Sequence, residues 1–350
     1  HIELGGRFYL NALGRLALES GDPVVGNVAS GVEGIYYGID GAPSARYTAP
    51  FGLAEGIRTL SFNARDNVAN AEVVKSTLIY VDGTKPVSEL SISGDQYHGD
   101  KVYVSLRSAI VLTAADPVVS EVASGLRETR YSVDGGAFAD YSAFKLAAEG
   151  KRLVSFYSAD QVGNVEVTKT TELWVDATAP TTALSISGAR HDADGLIYIT
   201  KDSGIVLTPA DPLASETASG VMLTKYRIDG GVWLVYATSF TITAEGRHTL
   251  EYYSLDRVQN AEILKTAALA VDNTPPATAI TLGEPKYEAF GLPILRPETP
   301  ITLAAADITA GEVASGLRSI FYEAVNLAGG GSVVRNYIEP FTLPQGTYDV

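Results

Sequence analysis

The chain has 350 residues, 41 of them acidic and 26 Lys or Arg, giving a formal net charge of −15 at pH 7, and it contains no cysteine. The missing cysteines exclude disulfides, CxxC zinc sites and thiol nucleophiles, and the acidity argues against a nucleic-acid partner, whose phosphates it would repel. No run of about 18 apolar residues is available to cross a membrane as a helix, yet 46% of the residues are apolar, which supports packed cores rather than a disordered chain.

One stretch recurs four times. It reads GDPVVGNVASG at Gly21–Gly31, ADPVVSEVASG at Ala115–Gly125, ADPLASETASG at Ala210–Gly220 and ADITAGEVASG at Ala306–Gly316. The closing glycines are spaced 94, 95 and 96 residues apart, so the chain is a tandem array with a period near that of one β-sandwich. The repeats are assigned to residues 1–82, 83–176, 177–272 and 273–350. The first residue is His1 and the one methionine is Met222, which suggests a processed or excised part of a longer chain.

The second repeat shows the expected elements. Asp82–Pro86 (DGTKP) is a junction, repeated as DATAP at Asp176–Pro180 and DNTPP at Asp272–Pro276. Each follows an apolar alternation, and its proline both ends the preceding ladder and fixes φ, making a short stiff link. Val87–Ser93 alternates with period two and reads as an opening strand A. Val102–Leu106 reads as an edge segment and Ala109–Ala114 as strand B. Leu126–Val133 reads as strand C, and Asp134-Gly135-Gly136 as a tight hairpin, because Asp-Gly supplies the positive φ of a primed turn. Ala137–Leu146 gives one or two short strands. Arg152–Ala159 is strand F and Val165–Val175 strand G. About seven antiparallel strands with turns every 8–12 residues, and no helix-period segment, predict a sandwich.

Tyr37, Tyr131 and Tyr226 recur on strand C, followed by Tyr47, Tyr141 and Tyr236 and then by Phe51, Phe144 and Phe240. Recurrence in each copy predicts inward packing. Phe138 and Trp233 are assigned to core or sheet-face packing, with sugar stacking as the alternative. The lysines in Val73–Lys75 and Val167–Lys169 are assigned to the outward face, as guards against edge pairing.

The outer repeats are expected to be incomplete. Aligning Asp22 on Asp116 places His1 beside Asp95, so the first repeat lacks strand A. Phe341–Gly346 aligns with Phe240–Gly246, so the fourth lacks most of strand F and all of G. The losses at the two ends are not complementary, which favours a window on a longer array over strand supply by neighbouring chains. The first repeat has GAPS after Asp40 in place of the Gly-Gly of the others. The fourth replaces the hairpin by Val325–Ser332 (VNLAGGGS).

Taken together, SG–x6–[IV]DGG at Ser124–Gly136 and Ser219–Gly231, the Glu-Gly turn, the D–x3–N loop and the VD–x–T–x–P junction resemble the bacterial immunoglobulin-like and fibronectin-III-like tandem repeats of large secreted surface proteins. The resemblance spans essentially the whole chain. It implies an all-β chain of four Ig-like or FnIII-like β-sandwich domains in an elongated rod, with extracellular or cell-surface location and spacer, adhesive or accessory roles. The fold alone does not fix which role.

The strongest candidate chemistry lies at the joints. In such a sandwich the junction aspartate sits beside the B–C and F–G loops, gathering Asp82, Asp116, Glu121, Asp160 and Asn164. The set recurs as Asp176, Asp211, Glu216, Asp256 and Asn260, and in part as Asp272, Asp307 and Glu312. The first repeat keeps Asp22, Asp66 and Asn70, with Asn27 in the glutamate position. Converging carboxylates repel unless a cation intervenes, and calcium takes oxygen ligands from flexible loops, so an inter-domain calcium site is one reading. The other is that these residues close turns through local backbone bonds.

Other motifs carry less. His1, His98, His191 and His248 share no short metal-binding spacing. Glu55, Glu149 and Glu245 each sit in a Glu-Gly turn and read as turn chemistry rather than as half of a glycosidase pair. Gly329–Ser332 lacks the Lys-Ser or Lys-Thr and the βα context of a phosphate loop. The expected function is a non-catalytic structural or adhesive segment of a secreted bacterial surface protein or extracellular fibre. Its partners are neighbouring repeats or chains, surface glycans, or a host or cell-surface protein. The alternatives are carbohydrate-binding or spacer modules of a secreted polysaccharide-degrading enzyme, and a filament subunit that exchanges strands between chains through Phe8–Leu18 or Ile338–Val350.

Overall fold

The computed structural model describes residues 1–329 and 332–350. Among them there is no helix. The chain separates into two compact units: His1–Thr178 with Leu213–Ser219 and Arg257–Gln259, and Ala179–Pro212 with Gly220–Asp256 and Asn260–Val350.

In the first unit the second repeat is a two-layer sandwich. One sheet pairs Val87–Ser93 with Ala109–Ala115, which in turn pairs with Phe144–Lys145. The other runs in the order Ala139–Asp140, Leu126–Val133, Gly150–Asp160, Lys169–Val175, Val102–Val104, Gln96–His98. Strand side chains alternate between faces, so Ile110 and Leu112 from the first sheet meet Val154, Phe156, Leu173 and Val175 from the second. Each such side chain, fully buried, contributes about 1.5–3 kcal/mol relative to exposure.

Within the second repeat one pairing is parallel, and the first and third repeats have its counterpart. Val102–Val104 runs parallel to Lys169–Val175. After strand A the chain crosses to the opposite sheet, and the hairpin of Gln96–His98 with Val102–Val104 reverses its direction before it meets the free edge.

The first repeat forms a six-stranded sheet in the order Ile2–Leu4, Arg7–Asn11, Lys75–Asp82, Gly56–Asp66, Val32–Ile39, Ala45–Arg46. Residues 15–21, which match Ala109–Ala115, form no strand. Leu16 makes a single bridge to Phe51. Asp40 and Gly41 have φ of 51° and 79°, close to the 53° and 74° of Asp134 and Gly135. The expected departure at GAPS therefore leaves the turn intact, since the Asp-Gly pair alone supplies the positive φ.

In the second unit the third repeat has the same six-strand order, from Arg190–Ala193 through Gly246–Asp256 to Leu234–Val235, and a pair Thr181–Ser187 with Gly204–Ala210. In the fourth, Ala277–Leu282 pairs with Ile301–Ala306, and Phe321–Asn326 lies between Ser332–Asn336 and Tyr348–Asp349. Of its Val325–Ser332 hairpin, Gly330 and Gly331 lie outside the described residues.

The recurring aromatics pack inward. Tyr131 stacks on Phe144 at 4.0 Å, Tyr226 on Phe240 at 4.0 Å and Tyr37 on Phe51 at 4.3 Å. Phe138 and Trp233 instead meet Tyr157 and Tyr253 edge-on, and Arg227 lies 4.6 Å over the Trp233 ring.

Candidate functional site

The site is built by three strand ends in the first unit. Asp82 closes Lys75–Asp82, Asp116 follows Ala109–Ala115, and Asp160 closes Gly150–Asp160. The junction turn is held by Asp82 itself: Oδ1 accepts the Thr84 N–H at 3.1 Å and Oδ2 the Ser124 N–H at 2.7 Å. Asp116 Oδ2 accepts the Gly125 N–H at 2.7 Å and so closes the loop between strands B and C. Asp160 accepts the Asn164 N–H at 2.8 Å through Oδ1 and its Nδ2 at 2.6 Å through Oδ2.

Each of the three aspartates contributes an oxygen to a group whose members lie within 4.8 Å of one another. Asp82 and Asp160 are fully buried and Asp116 is half-buried. Burial pushes the Asp116 carboxyl above the ordinary carboxylate range. The bond from Gly125 pulls it down, and the charges of Asp82 and Asp160 push it further up. Burial also raises Asp160, against the bonds from Asn164, with the Asp82 charge adding to the rise.

Two buried oxygens in this region have no hydrogen-bond partner: Asp116 Oδ1 and the Oγ of Ser124, a residue only 7% exposed. Buried polar atoms are nearly always satisfied, so an orphaned carboxylate oxygen among two further carboxylates calls for a positive group. The donor set is all oxygen and formally carries three negative charges. That fits a hard divalent cation and not a thiophilic or imidazole-bound one. The buried acidic cluster can hold a metal ion.

The other residues expected at this joint behave differently. Glu121 is exposed. With Ser120 it forms the tip of a tight turn at φ 49° and 64° between the bridged Val119 and Val122, and the inward place goes to Val122. Glu216 and Glu312 occupy the same exposed tips, at φ 61° and 63°. Asn27 has φ 66° at that place in the first repeat. The loop glutamates are therefore not brought to the cluster. Asn164 is buried but its amide is committed: Nδ2 donates to Asp160 and to the Asp82 and Thr84 carbonyls, and Oδ1 accepts from Asn11.

The same local bonds recur. Asp176 in the first unit accepts the Ser219 N–H at 2.6 Å. In the second unit Asp211 accepts the Gly220 N–H at 2.6 Å, and Asp256 accepts Asn260 N and Nδ2 at 2.7 and 2.6 Å. Asp272 accepts the Ser315 N–H at 2.7 Å, and Asp307 the Gly316 N–H at 2.6 Å, in one cleft beside Asn273 and Pro275. In the first repeat Asp22 binds Gly31 N at 2.8 Å and Asp66 binds Asn70. Turn closure by these aspartates is therefore general. The orphaned oxygens add a second demand at the Asp82 junction.

Two functional features escaped the sequence reading. The glutamates of the Glu-Gly turns reach into the following junction: Glu55 accepts from the Thr84 hydroxyl at 2.5 Å, Glu149 from Ala177 N at 3.1 Å and Glu245 from the Thr274 hydroxyl at 2.7 Å. Lys169, assigned to edge protection, instead pairs with buried Glu166 at 3.2 Å and donates to the Ser88 carbonyl. Lys265 repeats this with Glu262 and Thr182. The signal was present as a recurring Glu-x-x-Lys at 72–75, 166–169 and 262–265.

No family model matches the chain, and no curated protein matches it. Solved structures similar to parts of it include the fibronectin(III)-like modules of Clostridium thermocellum CbhA, at 16% identity and a TM-score of 0.29, covering 49% of this chain and 90% of that one. A 1.5-MDa bacterial ice-binding adhesin is similar at 12% identity and a TM-score of 0.31, covering 76% and 95%. Chicken CNTN1 FN1–FN3 domains are similar at 9% identity and a TM-score of 0.27, covering 69% and 89%.

Proposed function

We propose that this chain is a non-catalytic structural or adhesive segment of a secreted bacterial surface protein or extracellular fibre, with calcium clipping the junction between its first two repeats. The observation that carries the reading is the buried Asp82–Asp116–Asp160 group with the unpartnered Asp116 Oδ1. It lies where one repeat hands over to the next, and nothing in its geometry provides a nucleophile with a base.

Asp82, Asp116 and Asp160 would hold the ion, with the Ser124 hydroxyl as a further oxygen. When bound, the ion supplies positive charge that neutralises the three carboxylates. The rest of the joint is made by the protein. Glu55 grips Thr84 across the junction, and Asn164 ties strand F to the junction backbone at Asp82 and Thr84. Gly83 allows close approach, since a Cβ there would meet the Ala12 Cβ at 2.9 Å. Such a joint limits bending between successive repeats, the property a spacer or adhesive stalk requires.

Calorimetric titration of the chelated chain with calcium, with melting followed in chelator and in excess calcium, tests this reading. Heat of binding and a rise in melting temperature are expected. No heat and no shift would overturn it.

A further inference from the structure

The turn between strands B and C of one repeat is a plug for the outer sheet face of the repeat ahead of it, and we infer that the make-up of plug and seat decides which repeat can follow which. The turn itself is strained. Val119 and Val122 exchange both backbone hydrogen bonds around Ser120 and Glu121, as do Ala214 with Thr217 and Ala310 with Val313. Both central residues have positive φ, as in a type I′ turn, yet of the six such residues only Gly311 is a glycine. A side chain in that conformation carries a cost, which persists where the surroundings hold it in place. The residue after each tip is Val122, Thr217 or Val313, and none is more than 2% exposed.

What covers them is the repeat ahead. Val313 packs against Leu196, Ala270 and Tyr198 of the third repeat, in a cluster separate from that repeat's core. Ala270 stands between Leu269 and Val271, which face the core, so alternation puts it on the outer face. It is nonetheless fully buried. The tips meet the Glu-Gly turns in the same way. A Cβ at Gly56 would lie 3.3 Å from the Ser120 Cβ, one at Gly150 would lie 3.2 Å from the Ser215 Cβ, and one at Gly246 would lie 3.3 Å from the Gly311 carbonyl oxygen. Those three glycines also have φ of 117°, 106° and 132°, which only glycine adopts freely. The compact first unit accordingly includes Leu213–Ser219, the turn of the third repeat.

The seats are not alike. The register pair Tyr198↔Ala270 of the third repeat is Tyr9↔Tyr80 in the first and Tyr103↔Trp174 in the second. The place of Leu196 is taken by Arg7, 5.0 Å over the Tyr80 ring, and by Lys101, 3.4 Å over the Trp174 ring. A large ring under a cation goes with a serine tip, and the apolar seat with Ala270 goes with a glycine tip. Distance gives the reason. A Cβ on Gly311 would meet the Glu245 carbonyl oxygen at 2.9 Å, the Glu245 carbonyl carbon at 3.0 Å and the Gly246 Cα at 3.1 Å. All three are backbone atoms, which cannot swing aside as a flexible side chain would. The small Ala270 thus lets the next turn settle closer than a tip with a side chain permits. The third seat takes a turn with glycine first and valine behind the tip, and it rejects the serine tips that suit the other two.

The test grafts the chemistry of the second seat and its plug onto the third, in the full chain, and follows amide hydrogen exchange at Ala310 and Val313. The seat half is Leu196→Lys with Ala270→Trp. The plug half is Gly311→Ser with Val313→Thr. Each half alone should speed exchange about tenfold or more, and the two halves together should return most of that protection, because the mismatch is gone. A combined variant that exchanges as fast as the product of the two halves overturns the inference. A milder pair needs no graft. Gly311→Ala and Gly26→Ala add one methyl at the same place in the turn, at φ of 56° and 60°, but among the described residues no atom lies within 4 Å of a Cβ at Gly26. Exchange at Ala310 and Val313 in the first variant should rise about tenfold more than exchange at Val25 and Val28 in the second. Equal rises would trace the effect to the turn alone and overturn the seat. All measurements are made in chelator and alter none of Asp82, Asp116 and Asp160, so failure here is separate from failure of the calcium reading.

Discussion

Asp116 and Gly125 are tied by one hydrogen bond of 2.7 Å to Asp116 Oδ2, while Oδ1 of the same carboxylate is buried and unpartnered. One oxygen thus does structural work that recurs in each repeat, and the other has a need that the protein itself does not meet. Asp116→Asn separates the two. The amide oxygen can still accept from Gly125, and one charge of the repelling group is gone. In chelator this variant should melt at or above the wild-type temperature. Its gain on adding calcium should be much smaller than that of the wild type, for which an ion at a hundred times its Kd is worth about 2.7 kcal/mol. Differential scanning calorimetry in both conditions checks this.

The clamp on strand A makes a different demand. Glu166 is buried and serves Ser88 and Ser158 together with Lys169. Glu166→Ala leaves those donors inside without an acceptor, at about 1–3 kcal/mol for an unsatisfied buried group. The loss should appear as a lower urea midpoint. Ser88→Ala removes only the hydroxyl and should cost less. Lys169→Met, which keeps the half-exposed stem, should also fall short of the Glu166 effect.

These examples show which parts of the structure could be read from the residues. Val87–Ser93 and Leu126–Val133 were bounded correctly because period-two alternation and Gly or Pro punctuation are local signals. The parallel edge pairing of Val102–Val104 was not, because it depends on which sheet a crossing segment joins. At the junction, recurrence marked Asp82, Asp116 and Asp160, but it marked Glu121 equally. Only the turn geometry at Ser120 and Glu121 shows that the glutamate faces solvent while Val122 faces in. Lys169 read as an outward residue because alternation gives a face, not a partner. Its bond to Ser88 spans 81 residues and becomes visible only once strand A is laid against the Glu166 segment.

The hairpin aspartates give a pH-dependent prediction. Asp134 accepts the Leu153 N–H at 2.9 Å and pairs with Arg152 at 3.0 Å. The bond from Leu153 lowers its carboxyl below the ordinary value, burial opposes this, and Arg152 lowers it further. A depressed folded value means that the charged form stabilises the fold above the unfolded pKa, and that this contribution is lost as pH falls through the folded one. Asp134→Asn should therefore destabilise the chain most near neutral pH. Its melting temperature should converge on the wild type as pH drops through the carboxylate range. The effect should be small and reduced by salt, because the pair is partly solvent-exposed.

The core supplies the largest expected loss. Leu173 is fully buried between the sheets of the second repeat, with Val154 and Ile110 in the same cluster. Leu173→Ala should cost about 2–5 kcal/mol, the spread reflecting how far the cavity collapses. Leu153 faces outward from the neighbouring strand and is 40% exposed. Leu153→Ala should shift the urea midpoint far less: its partner across strands F and G is Glu172, one place along from the inward pair Arg152↔Leu173. The contrast follows from the alternation of faces: one residue along the strand changes a side chain from filling the sandwich to covering it.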